Sequence, residues 1–415
     1  MNQSCAKNNP VNRALAVGVV ISFIGFVQAG AQIDPEKRQL IQLGYNQPLE
    51  GHGPISGYLF YFRNDPGFLQ HSNLTLRLAV APIYIDSELG FSSALGEKTD
   101  LAIGLAGGGF ADSYWEVRRG KMIDAESFTG HGGEVSVSIY HLFNPNQIIP
   151  FNAVLRLSSH YSTYERDAKT APKFVLPGDR DTVNLRAGLR WGGREPTTFP
   201  HLAMEVSGWY EGQLRSESGS YGINSQREVQ PASHLFWARG LLIYTFPETM
   251  QTFGLNLTAG TSVRVDRFSA YRLGGVLPLV SEFPLTLPGY YFQEISARRF
   301  VLLNGQYTLP LDHDKRWNLT ASGSVAWVDY LASFEQPGNT HSGLGLGLGY
   351  RATSGAWQMV VGYSYGFNAL RSHGSGAQSI GVLFQWDLEA KHHRNPYFDI
   401  NSPYKSRGLF QIFGD

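Results

Sequence analysis

The chain has 415 residues, of which 42% are hydrophobic, 13% aromatic and only 16% charged, with 47 glycines and a formal net charge of zero. A neutral balance without a basic stripe argues against nucleic acid as a partner, and the glycine and aromatic content is high for a soluble globular chain. A mean hydropathy of -0.19 leaves a β-type membrane protein open, because strands apolar on one face and polar on the other average to near zero.

Residues 1–31 read as a secretory signal peptide. Lys7 and Arg13 supply the positive start, 14–27 the apolar stretch, and Ala29-Gly30-Ala31 the small-residue cleavage site. The apolar stretch is shorter than the ~20 residues a spanning helix needs. Cys5, the sole cysteine, lies in this segment, so the mature chain is expected to carry no disulfide and no thiolate metal site. Residues 32–56 read as a short periplasmic lead-in.

From 57 to 388 one unit repeats: about ten residues of apolar/polar alternation, then a break rich in Gly, Pro or Asp. The run from Thr182 to Trp191 is the clearest. Val183, Leu185, Ala187, Leu189 and Trp191 share one face; Thr182, Asn184, Arg186, Gly188 and Arg190 share the other. Two arginines on the polar face exclude a dry sandwich core there, since an unpaired buried guanidinium is too costly. Such a strand fits a wall between lipid and a polar lumen. The same pattern recurs where Val135, Val137 and Ile139 oppose Glu134, Ser136 and Ser138, and where Leu255 and Leu257 oppose Asn256 and Thr258.

About fourteen strands follow from these signals, at 57–64, 73–95, 99–118, 131–143, 150–165, 181–193, 199–217, 232–247, 252–267, 300–309, 317–331, 341–352, 356–367 and 377–388. Pro82 is placed to divide the second, so fourteen to sixteen strands are expected. Short breaks (96–98, 144–147, 247–250, 312–315) alternate with long ones (119–130, 166–180, 218–231, 268–299), as in barrels with short periplasmic turns and long surface loops. The expected fold is therefore all-β: a transmembrane antiparallel β-barrel in the cell outer membrane, in contact with outer-membrane lipids.

In 343–350, Leu344, Leu346, Leu348 and Tyr350 face outward and four glycines inward. A bare strand face marks close approach by something else, such as a loop folded into the lumen, or permits tight curvature. The last strand, Ser379 to Trp386, carries Gly381, Phe384 and Trp386 in an arrangement that resembles the terminal signal recognised by the barrel assembly machinery, which the resemblance implies as a partner during biogenesis. Capture of a strand edge with alternate aromatics is β-augmentation. Residues 389–415 form a C-terminal tail, expected on the periplasmic side and packed at the barrel mouth because of its aromatics.

From Tyr271 onward the sequence resembles the bacterial surface antigen superfamily, the BamA- and TamA-like barrels. Leu273-Gly274-Gly275 opens the long loop. Leu287, Pro288, Gly289 and Tyr290 stand where the family has its Val-Arg-Gly-Phe/Tyr motif. Phe300 to Pro310 looks like the family strand that follows the loop, with Gln306 in place of glutamate. Trp327-Val328-Asp329 looks like the aromatic-x-Asp motif of the next strand, with Leu331 where glycine is usual. The resemblance implies a loop folded into the lumen, where the loop arginine meets the strand acid. Pro288 replaces that arginine here, so Arg298 or Arg299 is expected to pair with Asp329 inside the lumen. The parity of Asp329 with Leu319 and Val325 requires a bulge near Gly323 for this; otherwise Asp329 lies at the interface.

The resemblance also implies a role in outer-membrane biogenesis or transport. The lead-in is too short for the family's periplasmic polypeptide-transport-associated domains, so a separate periplasmic protein is the expected partner. A passive channel or a purely structural barrel is the alternative. No H-E-x-x-H, G-x-S-x-G or P-loop sequence occurs. His160 and Ser162 share a lumenal face, a spacing similar to that of lipid-modifying barrels, but polar lumen residues explain both. His392-His393 lacks a second ligand pair at zinc spacing. The expectation is no enzyme activity, no metal and no cofactor.

Overall fold

Alternation of apolar and polar side chains gives each strand one face for hydrocarbon and one for water, and such strands leave no exposed edge only by closing on themselves. The computed structural model describes residues 37–390, apart from 55, 146–148, 195, 196, 198, 199, 201 and 247. It is a closed antiparallel barrel of sixteen strands. In chain order they are β1 (Arg38–Pro48), β2 (Ser56–Pro66), β3 (Leu74–Ala81) and β4 (Tyr84–Phe91). Then come β5 (Thr99–Gly108), β6 (Thr129–Leu142), β7 (Phe151–Glu165) and β8 (Arg180–Arg194). Next are β9 (Leu202–Arg215), β10 (Ala232–Thr245), β11 (Thr252–Val263) and β12 (Ile295–Pro310). The last four are β13 (Trp317–Tyr330), β14 (Thr340–Arg351), β15 (Trp357–Arg371) and β16 (Gly374–Asp387). Each pairs with its chain neighbour, and β1 closes on β16 from Leu40 opposite Asp387 to Pro48 opposite Ser379.

The closing partner lies in the segment read as a periplasmic lead-in, so the barrel begins at Arg38 rather than 57. The pattern was concealed because Leu40 and Ile41 are adjacent and polar residues stand on both faces. Leu40 points inward and is fully buried, covered by Leu277 and Leu279 of a loop. Pro82 does divide 73–95, into β3 and β4. With β1, that division accounts for sixteen strands.

The wall follows the alternation. On β8, Val183, Leu185, Leu189 and Trp191 are exposed outward, while Arg180, Thr182 and Arg190 are buried inward. Ile103, Val137, Leu157, Val206, Leu255, Val301 and Leu346 continue the outer apolar band around the cylinder. Near the short turns it is bordered by aromatics: Trp317, Tyr350, Trp357 and Phe384 follow one another at ring-centroid distances of 4.9, 5.3 and 6.2 Å. Interfacial girdles of this kind flank the apolar band of membrane barrels.

One end of the barrel carries short turns, such as 92–98, 246–251, 311–316 and 352–356. The other carries the long connections 109–128, 166–179, 216–231 and 264–294. Those long connections build a dome with its own apolar core. Tyr114, Phe128, Phe174, Tyr221 and Val229 are buried together with Phe268 packed against them. Glu116, fully buried, meets Arg118, Arg227 and Arg267 from three of the four loops, and Glu126 joins Arg118 and Arg227. Among the described residues no helix is long and apolar enough to cross a membrane.

Candidate functional site: a loop docked in the lumen

After Phe268 the connection between β11 and β12 turns into the barrel. Tyr271–Leu273 forms a short strand on the start of β12, and the chain beyond it crosses the lumen as a plug. Four contacts fix it. Leu277 and Leu279 pack on Leu40, Tyr58, Phe60 and Phe62, the inner faces of β1 and β2. Phe283 meets the edges of Trp209 and Trp237 at 5.4 and 5.5 Å. Glu282 bonds to Arg190, lies 3.6 Å from Arg186, and offers its backbone carbonyl to Arg239 (2.8 Å). Leu287 to Glu294 then dock on β13, β14 and β15.

This last contact holds the motif read from sequence. Leu287 and Tyr290 are fully buried. The Gly289 amide donates to Ser364 Oγ (3.2 Å), and the Tyr290 hydroxyl pairs with His341 Nδ1 (3.1 Å), whose Nε2 meets the Tyr330 hydroxyl (2.6 Å). Gly289 has φ +82°, a conformation that favours glycine. A Cβ there would run into the Gly366 backbone, and one at Gly343 would overlap the Pro288 carbonyl. The bare face of β14 is thus, at Gly343, a seat for the plug. Gly345, Gly347 and Gly349 instead face neighbouring strands.

Charge clamps the descending end. Glu294 and Arg371, whose side chains are 0% and 2% exposed, are joined by two contacts of 3.0 and 3.2 Å. Glu294 also accepts from the Tyr291 amide (2.7 Å), and Arg371 donates to the Gly289 carbonyl (3.3 Å) and lies 3.6 Å from the centre of the Tyr291 ring. Burial pushes the Glu294 carboxyl above its ordinary range, with Arg371 opposing that rise, and it pushes up the phenols of Tyr290 and Tyr291. The link between loop and wall is therefore an acid on the loop and an arginine on the strand, the reverse of the polarity the family resemblance implies.

Arg298, Arg299 and Asp329 do come together, but outside the barrel. Arg298 contacts Asp329 at 3.1 Å and Arg299 lies 4.0 Å away, with side-chain exposures of 53%, 64% and 32% for Arg298, Arg299 and Asp329. Strand β13 keeps one parity from Leu319 to Asp329, with Val325 and Trp327 exposed and Ala326 and Val328 buried. The only irregularity in the β12–β13 pairing is on β12, between Ala297 and Arg299. The expected lumenal pairing is corrected accordingly. Asp329→Ala should leave the plug docked and the protease pattern of the loop unchanged, costing no more than the ~1 kcal/mol of an exposed pair; cleavage appearing within 276–293 would contradict this.

Of the closing-strand residues, Gly381 faces the lumen near Val276 of the plug, and Phe384 and Trp386 sit on the outer face at the short-turn end. The strand edge is covered on both sides, by β1 and β15. His160 binds Asp112 through Nε2 (2.8 Å), and its Nδ1 lies 3.9 Å from Glu134, so both ring nitrogens face carboxylates rather than Ser162. Among the described residues no group of three or more His, Cys, Asp and Glu could hold a metal. His392, His393 and the rest of 391–415, like the signal segment, lie outside the described residues.

The two halves of the lumen differ. The inner faces of β4 to β10 carry paired charges: Arg156 with Glu134 (2.6 Å), Arg186 with Glu211 (2.6 Å), and Arg239 with Glu205. The inner faces of β11 to β15 carry few charges, Arg351 and Arg371 among them, and line a cavity of about 340 Å³ on the short-turn side of the plug, with Asn256, Asn304, Gln306, Thr320, Ser322 and Arg351 among its walls.

No protein-family model and no curated protein matches the sequence. Solved structures do match in fold. CdiB from Acinetobacter baumannii superposes with a TM-score of 0.51 at 11% identity, covering 85% of this chain and 60% of that one. CdiB from Escherichia coli gives 0.52 at 11%, covering 84% and 63%. BamA from Haemophilus ducreyi lacking POTRA domains 1-3 gives 0.50 at 11%, covering 85% and 71%. The chain is an outer-membrane-type barrel. It spans about three fifths of the length of the two CdiB chains.

Proposed function

We propose that this protein is a plugged barrel of the cell outer membrane, of surface-antigen-superfamily architecture, which acts in outer-membrane biogenesis or in protein or lipid transport. The carrying observation is the docked loop: a glycine-bearing motif seated on a bare strand face and clamped by a buried ion pair. In this reading the long loops face outward and the cavity below the plug opens to the periplasm. A separate periplasmic protein supplies what attached receiver domains supply in the family. The closing strand, with Gly381, Phe384 and Trp386, is the element the barrel assembly machinery would engage before β1 covers its edge.

A passive channel is less well supported, because the plug bridges opposite walls. Purified protein in planar bilayers should give small, infrequent openings, and deletion of 276–286 should convert them to large steady ones. Large steady conductance from the unmodified chain would favour the channel instead. Depletion of the protein should change the abundance of other outer-membrane proteins; unchanged levels would count against biogenesis.

A further inference from the structure

The outer surface near the long loops is not uniformly apolar. At the start of β12 a bulge sets two residues, Arg298 and Arg299, opposite the single residue Asp329. Bulges insert one unpaired residue and re-aim side chains at barrel rims. Here both guanidinium groups leave the wall on its outer face. Arg264, one residue past the end of β11 and two from Ser262, whose hydroxyl donates to the Arg298 carbonyl (2.7 Å), is exposed and makes no ion pair among the described residues. Two arginines thus share one carboxylate, and the third has none among the described residues. Several lumenal arginines, by contrast, each have a carboxylate: Arg186 has Glu211, Arg190 has Glu282, Arg215 has Asp266 and Arg239 has Glu205.

Position makes the imbalance informative. Immediately along the same outer face stand Val263, Val301, Leu303, Val325 and Trp327, all exposed. The cluster therefore lies where the apolar band ends, at the level of headgroups. Charges facing hydrocarbon are costly, whereas charges at the interface meet the ionic groups of lipids. Elsewhere on the long-loop rim exposed charges of both signs are mixed: Glu165 stands beside His131 and next to Arg166, and Lys169 and Asp181 are exposed too. The β11–β13 sector sets two outward guanidinium groups against one carboxylate on the wall itself.

We propose that Arg264, Arg298 and Arg299 form a binding site for a phosphomonoester-bearing lipid in the leaflet on the long-loop side. The proposal rests on the outer-membrane reading above. Three arginines and one aspartate leave two uncompensated positive charges, which complement the charge of a phosphate monoester near neutral pH. Asp329 and the Tyr330 carbonyl (3.1 Å) hold Arg298 in place, leaving the other two guanidinium forks to donate to phosphate oxygens. The apolar side chains below them would receive the acyl chains.

The test uses the purified full chain in detergent, titrated with lipid A, with phosphatidylcholine and with inorganic phosphate, and read by native mass spectrometry and thermal unfolding. Wild type should retain lipid A about tenfold more tightly than the variant R264Q/R298Q/R299Q, from the loss of charged hydrogen bonds. R298K/R299K, which keeps the charge but not the forks, should fall between. Phosphatidylcholine should bind both proteins alike, and inorganic phosphate should shift neither. Equal retention of lipid A by wild type and the glutamine variant, with heat-modifiable mobility intact in both, would overturn the site. Recovery of wild type from the aqueous fraction without detergent would instead overturn the membrane reading itself.

Discussion

Glu294→Ala should release the plug while leaving the barrel closed. The substitution strips a buried guanidinium of the carboxylate it is paired with, and breaking a buried pair by removing one partner costs about 3–5 kcal/mol. Little of that falls on the wall, whose ladders do not involve Glu294. The expected result is a variant that retains heat-modifiable mobility, becomes cleavable within 276–293, and conducts strongly in planar bilayers. Arg371→Ala should behave alike, and Glu294→Ala/Arg371→Ala should cost less than the two together, as coupled positions do. Glu294→Gln, which keeps an acceptor for the Tyr291 amide and for Arg371, should give an intermediate loss. A protease-resistant, poorly conducting Glu294→Ala protein would show that the clamp does not hold the loop.

Gly289→Val should have an effect of similar size by a different route. The residue sits at φ +82°, where a β-branched side chain costs about 1–3 kcal/mol in backbone strain. Its Cβ would also meet the backbone of Gly366, which cannot yield without disturbing the β14–β15 pairing. The loop, not the wall, should give way. Gly305→Ala is the fitting control: it lies on β12 with open space around its Cβ position and should change neither stability nor conductance. If Gly289→Val kept the plug protected, the seat on β14 and β15 would have to be less tight than its geometry indicates.

The contrast between these residues shows what could be read in advance. The barrel was legible because alternation is a local signal: Val183, Leu185 and Leu189 declare one face with no knowledge of their partners. The glycine run of β14 left open a docked segment or tight curvature; one of its four residues, Gly343, meets the Leu287–Tyr290 motif and the other three face neighbouring strands. What stayed hidden was long-range. Glu294 and Arg371 are 77 positions apart in sequence, and nothing in either neighbourhood marks one as the partner of the other. Asp329 was misplaced because the family resemblance suggested a lumenal acid, although the parity of β13 already pointed it outward. β1 was missed because its inner face uses Leu40, an apolar residue justified only by the plug that covers it.

The dome over the long-loop end has one more implication. Phe128, Phe174, Tyr221 and Phe268 come from separate hairpins, yet they bury one another, so no hairpin there can open without exposing the aromatic groups of the rest. Amide exchange in these connections should proceed as a single cooperative event rather than loop by loop. An antibody raised against this end would accordingly recognise a folded patch, and isolated loop peptides would compete with it poorly.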